Sequence, residues 1–156
     1  MSAPETDKID ADARGLRIGV VAARYNASIV AQLLDGARRR WQELGGELAL
    51  LRIVHVPGAF ELPLAARQLA IRKAVDAVVA LGCVIRGDTA HFDYVAGECA
   101  RGLQRVMLDH GVPVSFGVLT TDTFAQAQER AGPGDRNKGS EAIETAVVMA
   151  QLLRRL

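Results

Sequence analysis

The spacing of hydrophobic and polar positions changes period along this chain in a regular way. Over residues 16–23, Leu16, Ile18 and Val20 alternate with other residues and the run from Val20 to Ala23 is wholly apolar, which predicts a strand. From Ile29 the spacing lengthens. Ile29, Leu33, Ala37, Trp41 and Leu44 recur at helical intervals up to Gly45-Gly46, a pair suited to a C-cap. Residues 47–56, rich in Leu, Ile and Val, read as a second strand. Residues 60–73 read as a helix that tolerates Pro63 only in its first turn. Residues 76–85 are nearly all apolar, as a parallel strand covered on both faces should be. A helix follows over residues 92–110, with Val95, Cys99, Leu103, Val106 and Met107 on one side and Gly111 as its stop. Residues 112–120 make a fourth strand, and Thr123 and Gln126 stand at capping-box spacing before a short helix. A glycine-containing loop over residues 131–136 precedes a final helix to Leu156, whose Arg154 and Arg155 suit the negative end of its dipole.

Strand and helix thus alternate four times, which argues for an α/β protein with a parallel sheet and helices on both faces. Residues 1–14 carry Glu5, Asp7, Asp10 and Asp12 without an apolar run. They read as a mobile polar arm or a strand that needs a partner, not as a signal peptide. Residues 15–156 then form a single domain. Composition changes this picture little: 156 residues at 49% hydrophobic content suffice for one core without a disulfide or metal staple. Nineteen basic residues against eighteen acidic ones leave a charge of +1, which offers nothing to nucleic acid or an anionic membrane. No apolar run approaches the roughly 20 residues of a membrane span. Cys83 and Cys99 cannot make a disulfide framework, so a reducing, cytoplasmic setting is expected.

In an open parallel sheet, ligands bind beyond the carboxyl ends of the strands. The segments there hold polar and aromatic side chains that a core does not require: Arg24-Tyr25-Asn26, then residues 55–61, residues 86–91, and Thr120-Thr121-Asp122. Gly87, Asp88 and Thr89 lie between a buried strand and a helix start, where backbone N–H groups and the helix dipole can converge on an anion. His91 follows, of the residue type suited to proton transfer near neutrality. An isolated Gly-x-Thr-x-His is more often a helix cap beside a surface histidine. Pro57-Gly58-Ala59-Phe60-Glu61 enters its helix without a Ser, Thr, Asp or Asn cap, leaving the first N–H groups to a ligand or to water. Tyr25 is a possible stacking surface, although a lone aromatic usually packs. Arg130 and Lys138 bracket the loop before the last helix. They fit phosphate contact, or simply solvated charge. Lys138-Gly139-Ser140 is not a P-loop: Asn137 replaces the glycine before lysine, the Ser comes one place late, and a helix rather than a strand precedes the loop. Gly132-x-Gly134 is not a dinucleotide fingerprint, and neither a nucleophile elbow nor zinc-ligand spacing occurs. His55 and His110 read as structural.

Taken in order, six segments resemble the lumazine synthase family, which forms 6,7-dimethyl-8-ribityllumazine in riboflavin biosynthesis. They are residues 24–26, 56–63, 81–95, 116–121, 129–132 and 137–139, and the likeness runs from about Gly15 to the C-terminus. It implies a three-layer, flavodoxin-like sandwich with a central four-stranded parallel sheet. It implies a transferase that condenses 5-amino-6-ribitylaminouracil with 3,4-dihydroxy-2-butanone 4-phosphate through an imine, releasing phosphate and water, with no metal or organic cofactor. By the same resemblance Tyr25 stacks on the pyrimidine, Asn26 borders it, and Val84 and Ile85 line the heterocycle site. Ala59, Phe60 and Glu61 hold the ribityl chain. Gly87, Asp88, Thr89 and Arg130 hold the phosphate, His91 moves protons, and Phe116 and Lys138 complete the site from a neighbouring subunit. Family members are pentamers, decamers or sixty-subunit shells, and riboflavin synthase is an implied partner. Rival readings are a paralogue that binds flavin or lumazine or builds a shell without useful catalysis, and a monomeric regulatory flavodoxin-like module.

Overall fold

The computed structural model describes residues 11–156. Its elements are β1 (Ile18–Ala23), α1 (Ala27–Glu43), β2 (Leu51–Val56), α2 (Leu62–Ile71), β3 (Ala77–Ile85), α3 (His91–His110), β4 (Val114–Thr121), α4 (Phe124–Ala131) and α5 (Lys138–Arg155). The four strands form one sheet in the order β2-β1-β3-β4, every neighbouring pair parallel. The register runs from Ile18 opposite both Leu51 and Ala77 to Ile85 opposite Thr121. All six residues of β1 are buried, as a central strand covered by helices on both faces requires. The edge strand β2 is covered only in part: Leu51 and Val56 at its ends are buried, Ile53 and Val54 half-buried, and Arg52 and His55 exposed.

Two cores flank the sheet. One gathers Ile18, Val20, Val79 and Leu81 with Ile29, Leu33, Trp41, Ile143 and Val147, which places α1, α4 and α5 on that side. The other gathers Val21, Val78 and Ala80 with Leu62, Leu69, Cys99 and Leu103, which places α2 and α3 opposite. Successive strand residues thus feed opposite layers, and the expected three-layer α/β sandwich is the observed one. The strand order reverses between β1 and β3, so a crevice opens where their carboxyl ends diverge.

Several boundaries differ from the sequence expectation for local reasons. The strand expected over residues 47–56 begins only at Leu51, because a 3-10 turn occupies Leu48–Leu50. The Glu47 carbonyl accepts from both the Trp41 indole N–H (2.8 Å) and the Leu50 N–H (3.0 Å), which bends the chain there. Helix α1 starts at Ala27, two residues early, because Asn26 takes a left-handed conformation (φ 57°) that turns the chain at once. β4 starts at Val114, after Pro113, which has no N–H to give a ladder. The capping box at Thr123 and Gln126 forms as expected, and Pro63 does lie in the first turn of α2.

Of the arm expected over residues 1–14, residues 1–10 lie outside the described residues. Ala13 is buried, its N–H donates to Leu44 O (2.9 Å), and the Gln151 amide donates to Asp12 O (2.6 Å). Arg14 chelates the Asp12 carboxylate through its side chain and its own N–H, which pulls the Asp12 pKa down to about 2. Among the described residues no helix is long and apolar enough to cross a membrane.

Candidate active site

At the carboxyl edge of the sheet, on the α2/α3 side, lies a cleft of about 450 Å³. It is lined by Tyr25 from the β1–α1 turn, Gly58, Ala59, Phe60 and Glu61 from the β2–α2 turn, and His91, Tyr94 and Val95 from α3. Three aromatic rings stand open here: Tyr25 is 71% exposed, Phe60 60% and Tyr94 70%. Rings of this size are normally at least half covered, so these offer surface to something flat and apolar.

Local structure explains their placement. The Asn26 amide donates to Cys83 O (2.8 Å), and the Arg24 and Tyr25 N–H groups donate to Pro57 O (3.2 and 3.3 Å). The β1 turn is therefore tied both to β3 and to the β2 turn. A Cβ on Gly58 would sit 2.9 Å from Tyr25 Cδ2, so a larger residue there would push the Tyr25 ring out of its present position. The 3-10 turn Ala59–Glu61 and helix α2 start without any side-chain cap. The Glu61 and Leu62 N–H groups donate to Gly58 O and Ala59 O and Pro63 has no N–H, so it is the Ala59 and Phe60 N–H groups, beside the cleft, that have no acceptor among the described residues.

The segment from Gly87 to Ala90 is exposed and leads into α3, which also lacks an N-cap side chain. Thr89 assists the helix start, its Oγ1 accepting the His91 N–H at 3.3 Å, and its hydroxyl proton has no acceptor among the described residues. The helix-cap reading of this segment is thus partly realised, in a way that leaves a donor over. Arg86, just before it, donates to Asp122 (3.0 Å) and Asp93 (3.4 Å) and lies over the Phe92 ring at 4.3 Å. The Asp122 hydrogen bond foremost raises the Arg86 pKa.

Phe116, Arg130 and Lys138 do not reach this cleft. They line a second one, of about 260 Å³, along the outer side of β4 with Thr120, Thr121 and Glu141. Arg130 donates to Gln126 O (3.0 Å) on its own helix, and Lys138 pairs with Glu141 (2.9 Å). Asn26, Val84 and Ile85 line neither. Asn26 is spent on Cys83, while Val84 packs toward the α2/α3 core and Ile85 toward the opposite one, as consecutive strand residues must. His55 is exposed on β2 and His110 ends α3, apart from both clefts.

Two features escaped sequence reasoning. Tyr94 belongs to no chemical motif, and the one signal for it is its place three residues after His91 on the same helix face. Asn137 was not singled out as a determinant of the second cleft. Its buried amide donates to Gln32 O, Ala131 O and Gly132 O, and its Oδ1 accepts the Ser140 N–H, pinning the α4–α5 loop onto α1. A Cβ on Gly36 would fall on that amide. The pairing of a lone Asn with distant glycines leaves no local sequence signal.

Comparison with known proteins leads to one family. The 6,7-dimethyl-8-ribityllumazine synthase family matches residues 15–154. Proteins of that name from two strains of Thermus thermophilus are each 52% identical over 141 residues, 90% of either chain. One from Syntrophus aciditrophicus is 48% identical over 144 residues, 92% of this chain and 94% of the relative. With a match across nearly the whole described fold, both clefts included, this chain belongs to the 6,7-dimethyl-8-ribityllumazine synthase family.

Proposed function

We propose that this chain condenses 5-amino-6-ribitylaminouracil with 3,4-dihydroxy-2-butanone 4-phosphate to give 6,7-dimethyl-8-ribityllumazine, phosphate and water. The observation that carries the reading is the cleft that gathers Tyr25, Ala59, Phe60, Glu61 and His91 from three separate turns at one edge of the sheet. The substrate's own amine is the nucleophile, so no activated serine or cysteine is required. The protein's part is orientation, proton transfer and stabilisation of a departing anion.

Tyr25 stacks on the flat pyrimidine, with Asn26 and Val84 behind it and Ile85 at the strand end. The Ala59 and Phe60 N–H groups and the Glu61 carboxylate hold ribityl hydroxyls. Main-chain N–H groups of Gly87, Asp88 and Thr89, with the Thr89 hydroxyl, hold the phosphate; at Asp88 the useful group is the N–H, not the carboxylate. His91 gives and takes the protons of imine formation and phosphate loss. Phe116, Arg130 and Lys138 line a different cleft of the same chain, so a complete site draws them from a neighbouring copy. The working unit is accordingly a homo-oligomer built on pentamers, in the cytoplasm, with riboflavin synthase as its onward partner.

The test is to mix the purified protein with both substrates and follow the lumazine chromophore. Product no faster than the spontaneous reaction would falsify the assignment, and tight flavin binding without turnover would favour a binding or shell-forming paralogue. Light scattering should report a multiple of five chains, and a monomeric mass would contradict the shared site.

A further inference from the structure

Arg86 lines neither cleft, yet its side chain joins three points around the loop from Gly87 to Ala90. That loop has few bonds of its own. Among the described residues they are the His91 N–H to Thr89 Oγ1 (3.3 Å) and the Asp93 N–H to Ala90 O (3.0 Å). On its strand side the Arg86 N–H donates to Thr121 O (2.9 Å), one step beyond the last β3–β4 pair. On its helix side the Arg86 guanidinium reaches Asp93 (3.4 Å) and covers the Phe92 ring (4.3 Å), so both ends of the loop are tied to each other. The same guanidinium donates to Asp122 at 3.0 Å. Asp122 is a firm anchor, because Gln126 Oε1 accepts both its N–H (2.8 Å) and that of Thr123 (3.2 Å) within the α4 capping box.

We propose that Arg86 is a positioning residue that staples the loop from Gly87 to Ala90 into its anion-binding shape, through Asp93, Phe92 and Asp122. The proposal rests on the phosphate role assigned to this loop above. Main-chain donors grip an anion well only if they converge before it arrives; otherwise binding has to order the loop, and affinity falls. Exposed ion pairs stabilise a fold little. A planar guanidinium shared among two carboxylates and a ring instead sets orientation, which a lysine ammonium does not reproduce. Loss of the staple should therefore weaken phosphate recognition far more than it lowers the melting temperature.

The experiment compares the assembled parent with Arg86→Gln, Arg86→Lys, Asp122→Asn and the Arg86→Gln/Asp122→Asn double variant. It measures KM for each substrate, kcat, and inorganic phosphate affinity by calorimetry. Arg86→Gln should raise KM for the butanone phosphate and weaken phosphate binding about tenfold, with the pyrimidine KM changed less than about twofold. Arg86→Lys should recover part of the loss. Asp122→Asn should lose about threefold. The double variant should be no worse than Arg86→Gln alone, since both cut one network. Equal rises in both KM values, an unchanged phosphate affinity, or losses that multiply in the double variant would each overturn the proposal. If Arg86→Gln does not fold, Asp122→Asn still gives the KM split, because it keeps Arg86 with Asp93 and Phe92. A parent that binds phosphate but forms no lumazine defeats the functional reading, while the phosphate measurements still decide the role of Arg86.

Discussion

His91 opens α3 with its backbone N–H on Thr89 and its ring on the wall of the cleft, three residues before Tyr94. A histidine so placed can pass protons without being a nucleophile. General acid–base groups contribute about 10²–10⁴-fold, and the uncatalysed condensation already proceeds, so His91→Ala should slow turnover by an amount toward the lower end of that range. Initial rates at saturating substrates check this, and a parental rate would remove His91 from the mechanism. Arg130 makes a different prediction. A guanidinium that binds only the phosphate end of one substrate should, on Arg130→Ala, raise KM for the butanone phosphate several times more than KM for the pyrimidine, on the order of tenfold against twofold. Matched increases would contradict a phosphate role.

At the scale of elements, Asn137 joins three pieces that are distant in sequence. Its amide serves α1 through Gln32, the end of α4 through Ala131 and Gly132, and the start of α5 through Ser140. It is buried at 2% exposure, so no water readily replaces those bonds. Asn137→Ala should cost about 3 kcal/mol of unfolding free energy, from several backbone groups left unsatisfied together. It should also disturb Lys138, its immediate neighbour, and hence the second cleft. Urea unfolding gives the first quantity, and a loss below about 1 kcal/mol would show the network to be dispensable.

For the whole molecule, both cysteine thiols sit inside the α2/α3 and α1/α5 cores, and burial raises each pKa to about 11 from the ordinary 9.0. A group with a raised folded-state pKa stabilises the fold fully below its unfolded pKa. That contribution then disappears as pH climbs through the folded value. Stability should therefore fall between pH 9 and pH 11 more steeply in the parent than in a Cys83→Ala/Cys99→Ala variant. Chemical denaturation across that window tests it; parallel curves would mean that the thiols are not the groups responsible.

How much was legible follows from the range of the interactions. The alternation of strand and helix, the capping box at Thr123 and the stop at Gly111 are local events, encoded within a few residues, and the periodicity of Leu, Ile and Val displayed them. Tyr25, the turn from Ala59 to Glu61, and His91 stood out because reactive or aromatic residues gather after strands, where a parallel sheet exposes its loops. The likeness of six ordered segments to one family then supplied a chemistry that the residues alone left open between phosphate binding and simple caps. Sequence alone thus determined the succession of strands and helices, the parallel sheet covered on both faces, and most of the candidate groups. Only the folded chain decided which of them meet. Sheet order brought Tyr25 beside His91 and sent Phe116, Arg130 and Lys138 to another edge, while Asn137 and Arg86 found their roles through partners far along the chain. Those choices depend on crossover topology and on which face each strand residue presents. Both are settled by the simultaneous packing of all the layers, which no local window of sequence contains.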